Sequence, residues 1–216
     1  MDEIHNGIYM PTRSGAWTFL RPIAVADRPH LEKSLQHLSP ESLYQRFLTP
    51  VSRLSEAQWT QLLDVDQERH VAWGILPLSS DDLSSAGVGR FIRLDDDESV
   101  AEFALTVTDA SQGQGLGTIL LALLIWLARQ KGIETLRGVI QQSNDRMIAW
   151  MQRLGATIEY SSDGVVIADL AVQAFVPANG SYLARLFQRL DTLNVGPPED
   201  LVPTHPHHTI LSQRRS

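Results

Sequence analysis

The 216-residue chain has no cysteine. That excludes a disulfide scaffold, a thiolate-ligated zinc or iron–sulfur site and a catalytic thiol at once. Positive charge is in deficit, with 18 Lys+Arg against 25 Asp+Glu and a net charge of −7. A general nucleic-acid binder neutralises phosphates with cations, so no nucleic-acid partner is expected. The acidic balance weakly suits a cationic substrate. Long apolar runs are also missing. The longest, Ile119 to Ala128, has ten residues, about half of what a membrane span needs. The start, Met1-Asp2-Glu3-Ile4-His5, is acidic and lacks the basic and apolar regions of a secretory signal. No membrane partner and a cytoplasmic location are expected.

What is present suits one globular domain, with 43% apolar and 20% charged residues. Residues 1–15, with Gly7, Pro11 and Gly15, read as a flexible N-terminal segment. Residues 16–171 read as the domain proper, 172–195 as an extra helix region, and 196–216 as a flexible tail containing Pro and His. Ala16–Arg21 predicts a strand and Pro29–Leu38 a helix. Ser39-Pro40-Glu41 supplies a cap, a first-turn proline and an acid for a second helix. Ser55–Leu63 follows as a helix, and His70–Leu76 as a strand. Val88–Leu94 and Val100–Thr108 form a hairpin around Asp95-Asp96-Asp97-Glu98. Leu116–Lys131 is the clearest helix, with Leu116, Ile119, Leu120, Leu123, Leu124 and Leu127 on one stripe and Gly132 as its stop. A strand at Leu136–Ile140, a helix at Asn144–Leu154, and strands at Thr157–Tyr160 and Val165–Leu170 complete the domain. Leu183, Leu186, Phe187, Leu190 and Leu193 mark an extra amphipathic helix. Its apolar face packs either on the domain or on a second subunit, so a homodimer stays open. Clustered strands followed by alternation indicate an α/β (α+β) class.

The informative stretch runs Ala101-Glu102-Phe103-Ala104-Leu105-Thr106-Val107-Thr108, then Asp109-Ala110-Ser111, then Gln112-Gly113-Gln114-Gly115-Leu116-Gly117-Thr118. A strand passes through a glycine turn into a long helix. Glycines let backbone N–H groups converge on an anion, and the helix start adds unsatisfied donors and partial positive charge. A nucleoside-triphosphate loop needs Gly-Lys-Ser/Thr, and no Lys follows these glycines. A dinucleotide fingerprint needs a third glycine where Thr118 stands, within parallel strands. The pattern [QR]-x-x-G-x-[GA] is met by Gln112 to Gly117.

This last pattern resembles the acyl-CoA pyrophosphate loop of the GNAT N-acetyltransferase superfamily. Asn144-Asp145-Arg146-Met147 through Leu154-Gly155-Ala156 is similar to the family's N-x-x-[AM]…LGF segment, with Ala156 replacing Phe. Leu20-Arg21-Pro22-Ile23 through Asp27 resembles the family's opening strand and first helix. Leu38 to Phe47, with Val65-Asp66 and His70-Val71-Ala72, resembles the acetyltransferase domains of bacterial Pat-type protein lysine acetyltransferases. The resemblance covers about residues 17–170. It implies the GNAT fold, a central mixed, mostly antiparallel sheet of six to seven strands flanked by helices.

The resemblance further implies acetyl-CoA as co-substrate, no metal, and direct attack of an amine on the thioester in a ternary complex. The acceptor is a protein lysine or a small-molecule amine. The backbone from Gln112 and Gly113 through Gln114, Gly115, Leu116, Gly117 and Thr118 would hold the pyrophosphate. Thr106, Val107 and Thr108 would pair with the pantetheine arm, and Asn144 and Met147 would border it. For Asn144, helix capping is the alternative. An alkylamine near pKa 10.4 costs about 4.6 kcal/mol to deprotonate at pH 7. Glu102 is the candidate base, alone or through water, matching the family's A-E-[FL]-A pattern. The alternative is an ion pair across the hairpin with Arg90 or Arg93. The tyrosine acid of many relatives is replaced by Met151, which leaves the acid unassigned, with Tyr160 a donor that no spacing supports. Arg46-Phe47 lies in the segment that shapes the acceptor side in relatives. His205, His207 and His208, interrupted by Pro206, read as a solvated tail. The competing function is a non-catalytic acyl-CoA-binding sensor, favoured by Met151 and opposed by Glu102.

Overall fold

A computed structural model describes residues 7–51, 53–77 and 85–192. Eight strands form one sheet. In chain order they are β1 (Ile8–Pro11), β2 (Trp17–Pro22), β3 (His70–Pro77), β4 (Gly87–Arg93), β5 (Val100–Val107), β6 (Thr135–Gln141), β7 (Thr157–Tyr160) and β8 (Val165–Ala171). Their spatial order is β1-β2-β3-β4-β5-β6-β8-β7. Every pairing is antiparallel except β5 with β6. The mixed, mostly antiparallel sheet matches the sequence expectation, with one strand more. The helices are α1 (Arg28–Gln36), α2 (Pro40–Phe47), α3 (Glu56–Leu63), α4 (Leu116–Gln130), α5 (Asp145–Arg153) and α6 (Tyr182–Thr192).

The added strand is β1, and it corrects the reading of residues 1–15 as flexible. Ile8, Tyr9 and Met10 are all buried and β1 pairs with β2. Four apolar residues without alternation give no period-2 signal. Pro11 is tolerated because β1 is an edge strand. The tail expected to be flexible, 196–216, lies outside the described residues.

α4 explains much of the core. Leu116 and every residue from Ile119 to Ala128 are buried, not a stripe alone. The helix lies between the sheet and α6, and a helix covered on both sides is apolar all round. On the sheet side Gly87 and Gly89 admit Leu120, which a Cβ at either glycine would crowd at 3.2–3.3 Å. On the other side α6 buries Leu183, Leu186, Phe187 and Leu190 in the same core. Arg189 Nε donates to the Tyr9 carbonyl at 2.9 Å, and Trp126 Nε1 donates to Asp191 at 3.1 Å. α6 therefore packs on its own domain. A second, smaller core joins α1, α3 and β3 through Ile23, Leu31, Trp59, Leu63 and Ala72.

Candidate active site

The parallel pair β5–β6 lasts only four registers, from Val100 opposite Thr135 to Phe103 opposite Gly138. Beyond Gly138, β6 keeps its bonds to β8, while β5 keeps its bonds to β4. The strands splay, and Ala104–Val107 lose their partner on one side. A cleft of about 140 Å³ opens there, lined by that stretch of β5, by Val139 and Ile140 of β6, and by Asn144 and Met147. Unpaired strand backbone facing a cleft is a row of donors and acceptors for an extended amide-bearing ligand.

The glycine loop lies at one end. Gly113 and Gly115 take φ of 78° and 89°, and Gly115 caps α4. A Cβ on Gly115 would lie 3.1 Å from the Tyr182 ring, so any larger residue must displace the ring or the loop. Among the described residues, the N–H groups of Gly113, Gln114, Gly115, Leu116 and Gly117 find no acceptor. Gly113, Gly115, Leu116 and Gly117 border a recess of about 330 Å³, which Thr118, Arg13, Arg146 and Arg153 also line. Orphan donors at a helix N-terminus ringed by three guanidiniums fit a pyrophosphate. Arg13 comes from the β1–β2 turn and Arg146 and Arg153 from α5, and no local motif announces them.

The other residues expected at the cofactor divide. Thr106 and Val107 line the cleft, and Gln112 lines both the cleft and the recess. Thr108 does not. Its N–H and hydroxyl both bond the Ala86 carbonyl, at 3.0 and 3.3 Å, which ties it to the start of β4. Gln114 turns its side chain back toward the Ala110 carbonyl and lines neither the cleft nor the recess. Asn144 caps α5, its Oδ1 accepting from the Met147 N–H at 3.1 Å, and its amide nitrogen is left without a partner among the described residues. Capping and cleft lining coexist. Met151 is fully buried in the core. Tyr160 is exposed on β7 and borders none of the cavities described here.

Beyond Phe103 and Ala104 the cleft meets a second cavity of about 200 Å³, which holds Glu102, Arg46 and Arg90. Glu102 is exposed and makes no ion pair among the described residues. Its cross-strand partner is Ile92, so the hairpin pairing with Arg90 or Arg93 does not form. Arg90 is 7% exposed. Its Nη1 donates to the Leu62 carbonyl at 3.1 Å and to His70 Nε2 at 3.2 Å. His70 Nδ1 lies 2.7 Å from the Asp64 carbonyl, which can only accept, so the ring proton sits on Nδ1 and Nε2 is free to accept. Burial first, then the Arg90 charge, pushes the His70 pKa down, in keeping with a neutral ring. Arg90 itself is pushed down to about 9 by burial and by Arg46. Burial also lowers Arg46, with the Glu102 charge opposing it. α2, which carries Arg46, is held over β5 by Asp109. That carboxylate accepts from the Ser39 N–H at 2.8 Å and the Ser42 hydroxyl at 2.7 Å.

The site thus combines a splayed parallel pair, a glycine loop leading into a buried helix, and Glu102 on the paired stretch of β5 next to the splay. The family pattern described as Acetyltransferase (GNAT) domain matches residues 18–157, and the chain belongs to that family. It is 32% identical over 170 residues to Acetyltransferase Pat of Mycolicibacterium smegmatis, across 76% of this chain and 49% of Pat. The chain thus spans about half the length of that curated relative. The crystal structure of the GNAT domain of S. lividans PAT superposes with a TM-score of 0.70 at 27% identity, covering 77% of this chain and 97% of that one. The yncA structure from Salmonella typhimurium, described with its cofactor acetyl-CoA, shares the fold at 17% identity and a TM-score of 0.57, covering 76% of this chain and 99% of that one. Among the described residues no helix is long and apolar enough to cross a membrane.

Proposed function

We propose that this chain transfers an acetyl group from acetyl-CoA to a primary amine by direct attack in a ternary complex. The observation that carries this reading is the shared lining of three neighbouring spaces. The donor-rich recess and the β5–β6 cleft share Leu105, Val107 and Gln112, and the cleft and the Glu102 cavity share Arg46, Phe103 and Ala104. A pyrophosphate in the recess and a pantetheine arm along Ala104–Val107 direct the thioester toward Ala104, where the cleft meets the cavity.

Glu102 then faces the incoming amine. It takes one proton from the ammonium ion, directly or through water, which releases the lone pair. The amine attacks the thioester carbonyl carbon, the C–S bond breaks, and the second amine proton leaves with the thiolate. Holding a thiolate near pKa 8.5 ionised at pH 7 costs about 2 kcal/mol, so a dedicated acid is not essential, and Met151 is no obstacle. The resemblance to Pat-type enzymes makes a lysine ε-amine the first acceptor to examine.

The test is thiol release from acetyl-CoA in the presence of lysine peptides, polyamines, aminoglycosides and amino acids. The chain has no cysteine, so a thiol reagent sees released CoA alone. Acceptor-dependent release is expected. Glu102→Gln should lower kcat by about 10²-fold or more while acetyl-CoA affinity holds. Tight acetyl-CoA binding without release from any pool would favour the acyl-CoA sensor instead.

A further inference from the structure

The Glu102 cavity holds more positive charge than the acetyl-transfer step uses. Arg46 and Arg90 both border it, and neither has a carboxylate partner among the described residues. Arg90 is built in. It is more than nine-tenths buried, with Nη1 committed to His70 and to the Leu62 carbonyl. Its Nε is sealed from solvent without any partner. Its Nη2 makes no hydrogen bond among the described residues. Nη2 is therefore the donor left for a ligand in the cavity that Arg90 lines, and a bond from a guanidinium to a carboxylate is among the strong ones. Arg46 stands between the charges, repelling Arg90 and attracted by Glu102. Its other contact is the Phe47 ring, 5.0 Å away. A buried cation without a paired anion is costly, and among the described residues no carboxylate pairs with Arg90.

We propose that the acceptor carries a carboxylate within reach of its amine, and that Arg90 and Arg46 hold this carboxylate while Glu102 faces the amine. The proposal rests on the acetyltransferase reading above and narrows its substrate class. The two charges of such an acceptor meet opposite charges in the lining of one cavity. A polyamine or aminoglycoside, cationic throughout, would place charge against the arginines. The carboxylate has two sources, a free amino acid or an acidic residue beside the lysine of a peptide.

The experiment compares matched acceptors. Lysine, glutamine and methionine are each set against their carboxamides, and a Lys-Glu peptide against its Lys-Gln counterpart. Binding to the CoA-loaded protein is measured by calorimetry and turnover by thiol release. At least one acid should bind, and where turned over show kcat/KM, roughly tenfold or more better than its amide, from the strength of charge-assisted hydrogen bonds. A preference within the amino acid pairs alone assigns the free molecule, and one within the peptides alone assigns the lysine with an acidic neighbour. Arg90→Gln should bring the ratio toward one with acetyl-CoA affinity unchanged. Should that variant fail to fold, the half-buried Arg46→Gln supplies the same ratio. Amides equal to acids in every pair, or substitutions that lower both members alike, would overturn the proposal. Because acid-over-amide binding is read without catalysis, a binding preference with no turnover would sink the transferase reading and keep the carboxylate site.

Discussion

At the scale of single residues the glycine loop separates two costs that are usually confounded. Gly113 and Gly115 both hold left-handed φ, yet a Cβ on Gly113 meets nothing within 4 Å while one on Gly115 meets Tyr182. Gly113→Ala therefore carries backbone strain alone, about 1–2 kcal/mol. Gly115→Ala adds a contact that must be relieved by moving the ring or the loop. We expect Gly115→Ala to weaken acetyl-CoA binding tenfold or more and Gly113→Ala to weaken it less, by calorimetry on both. Equal effects would mean that Tyr182 does not fix the loop. This loop was legible in the sequence because a tight turn writes its demand as adjacent glycines. Arg13, Arg146 and Arg153 around the same recess were not legible, since one comes from the β1–β2 turn and two from α5. Arg90 was read only as a hairpin partner, because its isolation depends on where Leu62 and His70 arrive. Thr108 failed as a cofactor residue because the strand ends one residue early and its N–H turns to Ala86.

At the scale of elements, α2 is positioned by a group outside it. Asp109, just past β5, bonds the Ser39 N–H and the Ser42 hydroxyl, so the helix start is tied to the strand that faces the cleft. The Ser42 bond, with the Ser39 N–H, holds the Asp109 carboxyl below the usual carboxylate range. Asp109→Ala should leave the fold intact but loosen α2 and with it Arg46. The expected sign is a severalfold rise in acceptor KM, with acetyl-CoA affinity changed less, read from steady-state kinetics in each substrate. The sequence announced the Ser39 cap and Pro40 of α2, because capping is local. It could not announce Asp109, about 70 residues away. For α6 the spacing gave the helix and its apolar face, but not the surface it covers. Nor could it show that α4 is apolar all round because α6 lies over it.

At the scale of the molecule, Arg21 and Asp27 join the sheet to the helical layer. Arg21 of β2 donates both terminal nitrogens to Asp27, one at 2.7 Å, and Asp27 also accepts from the Ala24 N–H at 2.8 Å. Burial alone would raise the Asp27 pKa, but the Arg21 bonds, the Ala24 N–H and the nearby positive charges outweigh it, so the folded value lies below the unfolded one. The stabilisation is then complete above the unfolded value near 3.9 and is lost as pH falls through the folded value. Asp27→Asn should cost about 2 kcal/mol at pH 7. The gap to wild type should close below about pH 4 in urea unfolding across a pH series. A gap constant with pH would remove Asp27 as the source.

The outermost strand β1 and the helix α6 also meet beside the glycine loop. The Tyr182 hydroxyl donates to the Pro11 carbonyl at 2.7 Å, 171 residues apart in sequence, and the Arg13 N–H reaches the Gln114 carbonyl. A chain emerging from a ribosome makes the glycine loop long before Tyr182 exists to press on it. Such distant closures form slowly, so the nascent domain has its central strands and its cleft before its phosphate recess is shaped. The final shape of the recess becomes a late event in the life of the polypeptide, reached only when β1 and α6 have found each other.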